Sequence, residues 1–157
     1  MKIPKPGHAF RTMIVFLLMV VFIFIVHARA SDDSLIVAGK RIGKIKLGDH
    51  FHPLEETWGK PNKVEKTVDG TLVGYYRHKM GFLVKQDFIL TIYCENPYYK
   101  TKKGTGVGDK IYGIRVEFGK GKKIDKEDGS GYYLHYTDRG ISFAVDSRGF
   151  IEQIMVY

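Results

Sequence analysis

Two segments that carry tyrosine and histidine are the part of this sequence whose residue types and spacing could support recognition or chemistry. Residues 74–78 read Gly-Tyr-Tyr-Arg-His, and residues 131–135 read Gly-Tyr-Tyr-Leu-His. Alternate side chains of a β-strand share a face, so Leu134 indicates that Tyr132 and Tyr136 face the core with it. The other side chains would share an open sheet face, and they are the candidate partner-binding residues: Tyr76, His78, Tyr133 and His135.

An open sheet face of this composition suits protein recognition, because tyrosine offers a large contact area at a low cost in conformational entropy. The alternative is that these aromatic side chains pair with one another across neighbouring strands. Both interpretations stay open, since a solvated sheet face must be covered by something.

The histidines give no pattern that is typical of a metal site. His50 and His52 are two residues apart, and such positions on a helix do not converge on one ion. His78 and His135 would meet only if equivalent strands lay together. The sequence has no Cys-x-x-Cys and no His-Glu-x-x-His motif, which are spacings that supply zinc ligands. We therefore expect solvent-exposed histidines, no metal site and no cofactor.

Covalent catalysis is not indicated either. A catalytic nucleophile needs a base and an orienting group, and no serine here lies in a Gly-x-Ser-x-Gly context. The single cysteine, Cys94, falls on the more apolar face of the strand-like run 88–94, which predicts a buried, unreactive thiol. The sequence therefore predicts a non-enzymatic protein with no catalytic residues.

The elements that would position these side chains occur twice in the sequence. Much of the segment 47–87 returns in the segment 107–146, which predicts one structural unit used twice. Each copy opens with Gly-Asp, continues with apolar residues at helical spacing and reaches a glycine suited to a helix carboxyl terminus. Asp49 would cap the first helix. The second copy, 109–118, also fits strand alternation, so helix and strand both stay open there.

Strand and hairpin patterns follow each helical segment, because Asp-Gly turns alternate with short apolar runs. We predict an α+β fold of two similar units, each a short helical segment packed on a small antiparallel β-sheet. The predicted organisation is a signal peptide at 1–30, a first helix-plus-sheet unit at 31–99, a linker at 100–106 and a second helix-plus-sheet unit at 107–157.

The amino-terminal segment, 1–30, has the features of a signal peptide. A positively charged leader precedes the unbroken apolar run 13–26, which is shorter than the roughly 20 residues that span a bilayer. The small residues that signal peptidase requires are Ala28 and Ala30, with Ser31 as the first mature residue. We expect a cleaved, periplasmic or secreted protein that does not span the membrane, with an uncleaved membrane anchor as the alternative.

The formal net charge of +8 overstates how basic the mature protein would be. Four positive charges lie in the predicted signal peptide, which contains no Asp or Glu. The mild excess that remains suits loose, peripheral attraction to anionic envelope polymers. It does not favour nucleic acid as a partner.

The repeated pattern resembles a known family. The stretch 45–49 followed by Trp58-Gly59-Lys60-Pro61, and the stretch 140–146 followed by 150–154, are similar to the units of the β-lactamase-inhibitor protein and of the small outer-membrane assembly lipoproteins. The resemblance covers roughly residues 42–157. It implies a helical segment packed on a short antiparallel sheet, and it favours a protein-binding module. This sequence lacks the lipidation cysteine of the lipoproteins and the cysteine pairs of the inhibitor.

Together these observations predict an exported, non-enzymatic protein-binding module. Its partner would be an envelope or secreted protein. The module would act either as an envelope accessory or as the inhibitor of a hydrolase. The alternative function is a binder or sensor of a small ligand or cell-wall polymer, with the same aromatic sheet face stacked on sugar rings. A hydrolase with unrecognised catalytic residues is the third hypothesis.

Overall fold

The structure is a computed structural model, and it describes residues 32–157. The predicted signal peptide and the predicted cleavage residues Ala28, Ala30 and Ser31 lie outside the described residues. Within them, no helix is both long enough and apolar enough to cross a membrane. Following a 3₁₀ turn at Asp32–Ser34, the helices are α1 (His52–Trp58) and α2 (Tyr112–Phe118), and the strands are β1 (Ile36–Val37), β2 (Arg41–Ile42), β3 (Ile45–Lys46), β4 (Lys63–Lys66), β5 (Thr71–Tyr75), β6 (Met80–Lys85), β7 (Phe88–Cys94), β8 (Lys122–Asp125), β9 (Gly131–Tyr136), β10 (Ile141–Asp146) and β11 (Ile151–Val156).

Eight of these strands form one antiparallel sheet in the order β4-β5-β6-β7-β11-β10-β9-β8. The two halves of the chain meet in its centre, where Cys94 and Ile92 of β7 pair with Ile154 and Val156 of β11. The three short strands β1, β2 and β3 form a separate antiparallel sheet.

The predicted fold class is therefore wrong. The described chain is mostly β, with two helices of seven residues each, and the strands do not divide into two small sheets with a helix on each. The physical reason lies in β7 and β11. Each has a fully buried apolar face. In two separate small sheets, each of these strands would also leave one backbone edge unpaired, which is costly in a small structure. Pairing the two strands removes both edges at once.

The core lies between one face of the eight-stranded sheet and the elements that cover it. Strand alternation places the largest fully buried side chains, including Phe82 and Phe143, on that covered face. Trp58 of α1 contacts the rings of Tyr75 and Phe82, and α2 covers the other half of the face. Ile36 and Ile42 of the small sheet complete the same cluster.

Both helices end at glycines with positive φ, Gly59 at 79° and Gly119 at 84°, as the sequence indicates. The capping prediction for Asp49 is wrong, because its carboxylate accepts the Lys46 N–H at 2.9 Å and the helix begins after Phe51 without a side-chain cap. The segment 109–118, for which the sequence allows either helix or strand, contains the helix α2.

Gly113 explains how α2 packs so closely. A Cβ at this position would lie 2.3 Å from the Thr105 hydroxyl oxygen, so only glycine permits the approach. Thr105 belongs to the predicted linker, 100–106, which is an ordered turn in the structure. Thr101 and Thr105 are both buried, and the Thr105 N–H donates to the Thr101 hydroxyl oxygen at 3.2 Å. The proposed division into units at 31–99 and 107–157 stays a prediction.

Candidate functional site

The face of the eight-stranded sheet that is turned away from α1 and α2, here called the open face, carries the candidate site. In the first half of the sheet, Gly74 of β5 lies opposite Gly81 of β6, and Gly81 lies opposite Tyr93 of β7. Tyr93 in turn lies opposite Met155 of the central strand β11. The register therefore places two adjacent glycines beside a tyrosine, with no side chain above the sheet at the glycine pair.

An open pocket of about 670 Å³ lies over this glycine pair. Gly74 and Gly81 form its floor, and Tyr76 and Tyr93 supply aromatic walls. Glycine inside a strand weakens it by roughly 0.5–1 kcal/mol relative to alanine, and it commonly marks a place where another group approaches the backbone. The remaining polar lining residues are Lys63, Lys79, Glu95 and Gln153.

The ring of Tyr76 is accessible from solvent, with 67% of the residue's surface exposed. A Cβ built on Gly74 would lie 3.9 Å from the Tyr76 ring, so one edge of the ring leans over the glycine floor. The backbone is fixed there because the Tyr76 N–H donates to the Asn62 side-chain oxygen at 2.9 Å. The ring is thus held at the rim of the pocket and open to solvent.

The polar rim presents hydrogen-bond donors and acceptors. The Gln153 amide donates to a Glu95 carboxylate oxygen at 2.8 Å, which joins β11 to the end of β7. Lys63 is paired with Glu65 at 2.9 Å. Within residues 32–157, Lys79 forms no ion pair. Burial raises the pKa of Tyr93, so its hydroxyl stays protonated at neutral pH.

The second half of the open face is filled at the equivalent place. His135 of β9 lies opposite Ser142 of β10, and its Nδ1 is 2.8 Å from the Ser142 Oγ. The same Oγ is 2.8 Å from the Tyr157 hydroxyl oxygen. Burial lowers the pKa of His135, and the charge of Lys122 lowers it further. Ser142 is 1% exposed, so a substrate cannot reach this serine and the three side chains act as a packed network.

The structure brings three of the four predicted binding residues to the open face. Tyr76 lines the pocket, whereas Tyr133 and His135 lie across the sheet on β9. His78 does not lie on this face. Strand β5 ends at Tyr75, and His78 turns to the helix side, where its ring stacks on Trp58 at 3.9 Å and 10°.

The reason for this misplacement is a shift between the two tyrosine segments. The sequence match aligns Tyr75 with Tyr132, but the contacts match Tyr75 with Tyr136. The Tyr75 hydroxyl donates to the Gly59 carbonyl at 3.1 Å, and the Tyr136 hydroxyl donates to the Gly119 carbonyl at 2.8 Å. Residues that align in the sequence therefore occupy different positions along the two strands.

Sequence reasoning missed the floor of the site. Gly81 lies within β6 directly opposite Gly74. Glycines inside two otherwise apolar strands were the available signal, because an isolated strand glycine indicates a bulge or a close backbone approach. Lys79, Tyr93 and Glu95 come to the same pocket only through strand pairing, which no local pattern specifies.

The other chemistry-bearing side chains are separated from the pocket. His50 pairs with Asp87 at 2.9 Å, and His52 lies 3.3 Å from Glu56. In the part of the chain that the structure describes, no group of three or more His, Cys, Asp or Glu side chains is placed to hold a metal ion. Cys94 is completely buried as predicted, and burial raises its pKa to about 11, so its thiol is unreactive at neutral pH.

Comparison with known proteins leaves the family open. No protein-family model and no curated protein matches the chain. Among solved structures, it is similar to an extracellular protein containing a SCP domain from Bacillus anthracis str. Ames, with 15% sequence identity and a TM-score of 0.48. The match covers 69% of this chain and 43% of that one, so the chain spans less than half the length of that protein. The resemblance to the β-lactamase-inhibitor protein stays a prediction.

Proposed function

We propose that this protein is a non-enzymatic binding protein, and that the pocket on its open face binds a small ligand or one unit of a polymer. The observation that supports this most is the glycine pair Gly74 and Gly81 beneath the exposed ring of Tyr76. An apolar concavity with a few convergent polar groups is the usual form of a ligand site. Two strand glycines cost stability, and a ligand that occupies the space above them accounts for their presence.

The absence of a catalytic role is part of the proposal. The one serine–histidine pair on this face, Ser142 with His135, is held by Tyr157 and is closed to solvent on the serine side. A nucleophile needs an accessible attack path, so the proposal assigns this pair to packing. The predicted signal peptide supports a location outside the cytoplasmic membrane, where the protein would meet its ligand.

A protein partner is the second candidate function, and a different surface favours it. On the outer side of α2, Tyr112 is 75% exposed and Val116 is 54% exposed. These residues are four apart on the helix and therefore adjacent on its surface. Exposed neighbouring apolar side chains suit an interface, so an envelope protein or a hydrolase would dock on α2 rather than on the open face.

The proposed function is tested by screening the purified protein against a library of small sugars, peptides and organic acids with ligand-observed NMR. Gly74→Val should abolish binding, because the added methyl groups occupy the space above the glycine pair. The variant should still fold, since a Cβ at Gly74 meets only ordinary contacts, at 3.5 Å or more. Thr71→Val is the matched control, since it introduces the same residue type on the covered side of the same strand. Binding that survives Gly74→Val, or no binding at all, would contradict the proposal.

The second candidate needs a separate measurement. Cross-linking in the envelope of the host, followed by mass spectrometry, should recover one stoichiometric protein that is lost in Val116→Asp and retained in Gly74→Val. The opposite pattern would assign the protein partner to the open face instead.

A further inference from the structure

We propose that the ligand of the open-face pocket is a neutral saccharide, with one pyranose ring seated on Tyr76 above the glycine pair. This inference rests on the proposed function, because it names the ligand class of the same pocket. Four features of the pocket carry it: the aromatic platform, the mixed polar rim, the charge balance and the place of the pocket within the sheet.

The aromatic platform is the flat, apolar face of the Tyr76 ring. Tyr76 leans over Gly74 at one edge and leaves most of its ring open. The electron-rich face of an aromatic ring attracts the weakly positive C–H groups of a partner. A pyranose ring presents several C–H groups on one face, and the bare backbone of Gly74 and Gly81 leaves room for its thickness.

The rim matches hydroxyl groups, which both donate and accept hydrogen bonds. Lys79 supplies donors, whereas Glu95 supplies acceptor oxygens. Gln153 carries both functions, and its bond to Glu95 at 2.8 Å fixes the relative position of the two side chains. A ligand with donors alone or acceptors alone would leave part of this rim unpaired, at a cost in affinity.

The charge of the lining gives an anionic ligand no advantage over a neutral one. The ammonium of Lys63 is compensated by Glu65 at 2.9 Å. The remaining charges at the pocket are one cation, Lys79, and one anion, Glu95. An acidic sugar would gain from the first and be repelled by the second, so the lining gives it no net preference.

The position of the pocket disfavours an extended peptide. A peptide that adds to a sheet needs a free strand edge for its main-chain hydrogen bonds. The pocket lies over β5, β6 and β7, and each of these strands already has a partner on both sides. A ligand here must be held by side chains and by stacking, as a sugar ring is.

The test is isothermal titration calorimetry of the protein with neutral hexasaccharides of glucose, mannose and N-acetylglucosamine, and with a galacturonic acid hexasaccharide as the acidic probe. At least one neutral probe should bind, and the acidic probe should bind no more tightly than that one. Tyr76→Ala should weaken that binding about tenfold or more, in line with the loss of one stacking platform. Tyr76→Trp should restore it. Tyr98→Ala should leave it unchanged as the control for removal of an exposed tyrosine, since Tyr98 is 58% exposed and does not line the pocket.

The failures are distinguishable. Preferential binding of the acidic probe would overturn the neutral-saccharide proposal and leave the proposed binding function standing. The same holds if no sugar binds but compounds from the wider library bind in a manner that Gly74→Val abolishes. If neither sugars nor library compounds bind, both proposals fail.

Discussion

The two halves of the open face differ at matching places in one sheet. Strands β5 and β9 are each second from an end of the sheet, and each pairs through a hairpin with the next strand inward. One step from the hairpin, the first half has Gly74 opposite Gly81, whereas the second half has His135 opposite Ser142. The backbone arrangement is the same, but one place is an open pocket and the other is filled.

This difference shows that the backbone of the sheet does not by itself create the pocket. In the second half, His135 and Ser142 meet Tyr157 in a hydrogen-bonded network, and that network occupies the space that a ligand would need. In the first half, glycine leaves the space empty and Tyr76 stands at its rim. The proposed binding function therefore depends on the absence of two side chains, while the other half contributes packing.

The largest expected effect concerns what the halves share, the aromatic core beneath the sheet. Phe82 and Phe143 are both completely buried, so Phe82→Ala and Phe143→Ala should each lower the free energy of unfolding by about 3–5 kcal/mol. Phe82 contacts the rings of Phe51, Trp58 and Tyr75. Urea denaturation followed by circular dichroism measures both variants.

The comparison adds a direction to that prediction. Among residues 32–157, Phe143 has two aromatic ring contacts, with Phe118 and Tyr136, so Phe82→Ala should be the more destabilising of the two. A Phe143→Ala variant that loses clearly more stability than Phe82→Ala would show that the two halves do not share the core in this way.

A smaller effect is expected from opening the filled half. Ser142→Ala removes the oxygen that contacts both His135 and Tyr157, and unpaired polar groups near a buried position cost about 1–3 kcal/mol. Chemical denaturation should therefore show a loss in that range. Ser147→Ala is the control, because Ser147 is exposed and a surface substitution of this kind changes stability by about 0.5 kcal/mol or less. Equal effects of the two substitutions would argue against a structural network.

The opposite change, filling the open half, should raise stability. Gly74→Val replaces a strand glycine by a β-branched residue with no close contact at its Cβ, and we expect a gain of about 0.5–1 kcal/mol. Gly81→Val should lack this gain, because its Cβ would lie 3.2 Å from the Val73 carbonyl oxygen. Thermal denaturation of both variants measures the difference. A stability gain together with lost ligand binding would identify Gly74 as a residue retained for function.

Much of the local structure could be predicted from the sequence. Alternation along β9 correctly placed Leu134 and Tyr136 in the core, and Gly59 and Gly119 correctly marked both helix ends. These features depend on residues close together in the chain. The pairing of β7 with β11 could not be predicted in the same way, because strand pairing depends on which buried edges meet after the chain has folded back.

The candidate site shows the same limit. The interpretation of the open face was right for Tyr76, Tyr133 and His135, because period-two alternation is a local property. It was wrong for His78, because two similar tyrosine segments allow more than one alignment and only the contacts of Tyr75 with Gly59 decide between them. The residues that line the pocket come from five strands, so its floor could be recognised only once the sheet order was known.

The smallest expected effect is a pH dependence that is confined to the filled half. Burial and the charge of Lys122 lower the pKa of His135 in the folded protein, whereas in the unfolded chain its pKa lies near the ordinary value of about 6.5. Between the folded pKa and the unfolded pKa of His135, the unfolded state therefore binds more protons, and the free energy of unfolding rises with pH. The contribution of His135 is fully present above about pH 6.5 and is lost as the pH falls through the folded pKa.

The measurement is the free energy of unfolding at pH 8 and at pH 5 for the unchanged protein and for His135→Gln. The unchanged protein should lose more stability on acidification than His135→Gln, since the glutamine cannot titrate. Lys122→Ala should reduce the loss, because removal of its charge brings the pKa of His135 closer to the ordinary value. Ligand binding at the glycine pair should be the same in His135→Gln, because this side chain belongs to the half of the open face that the pocket does not use.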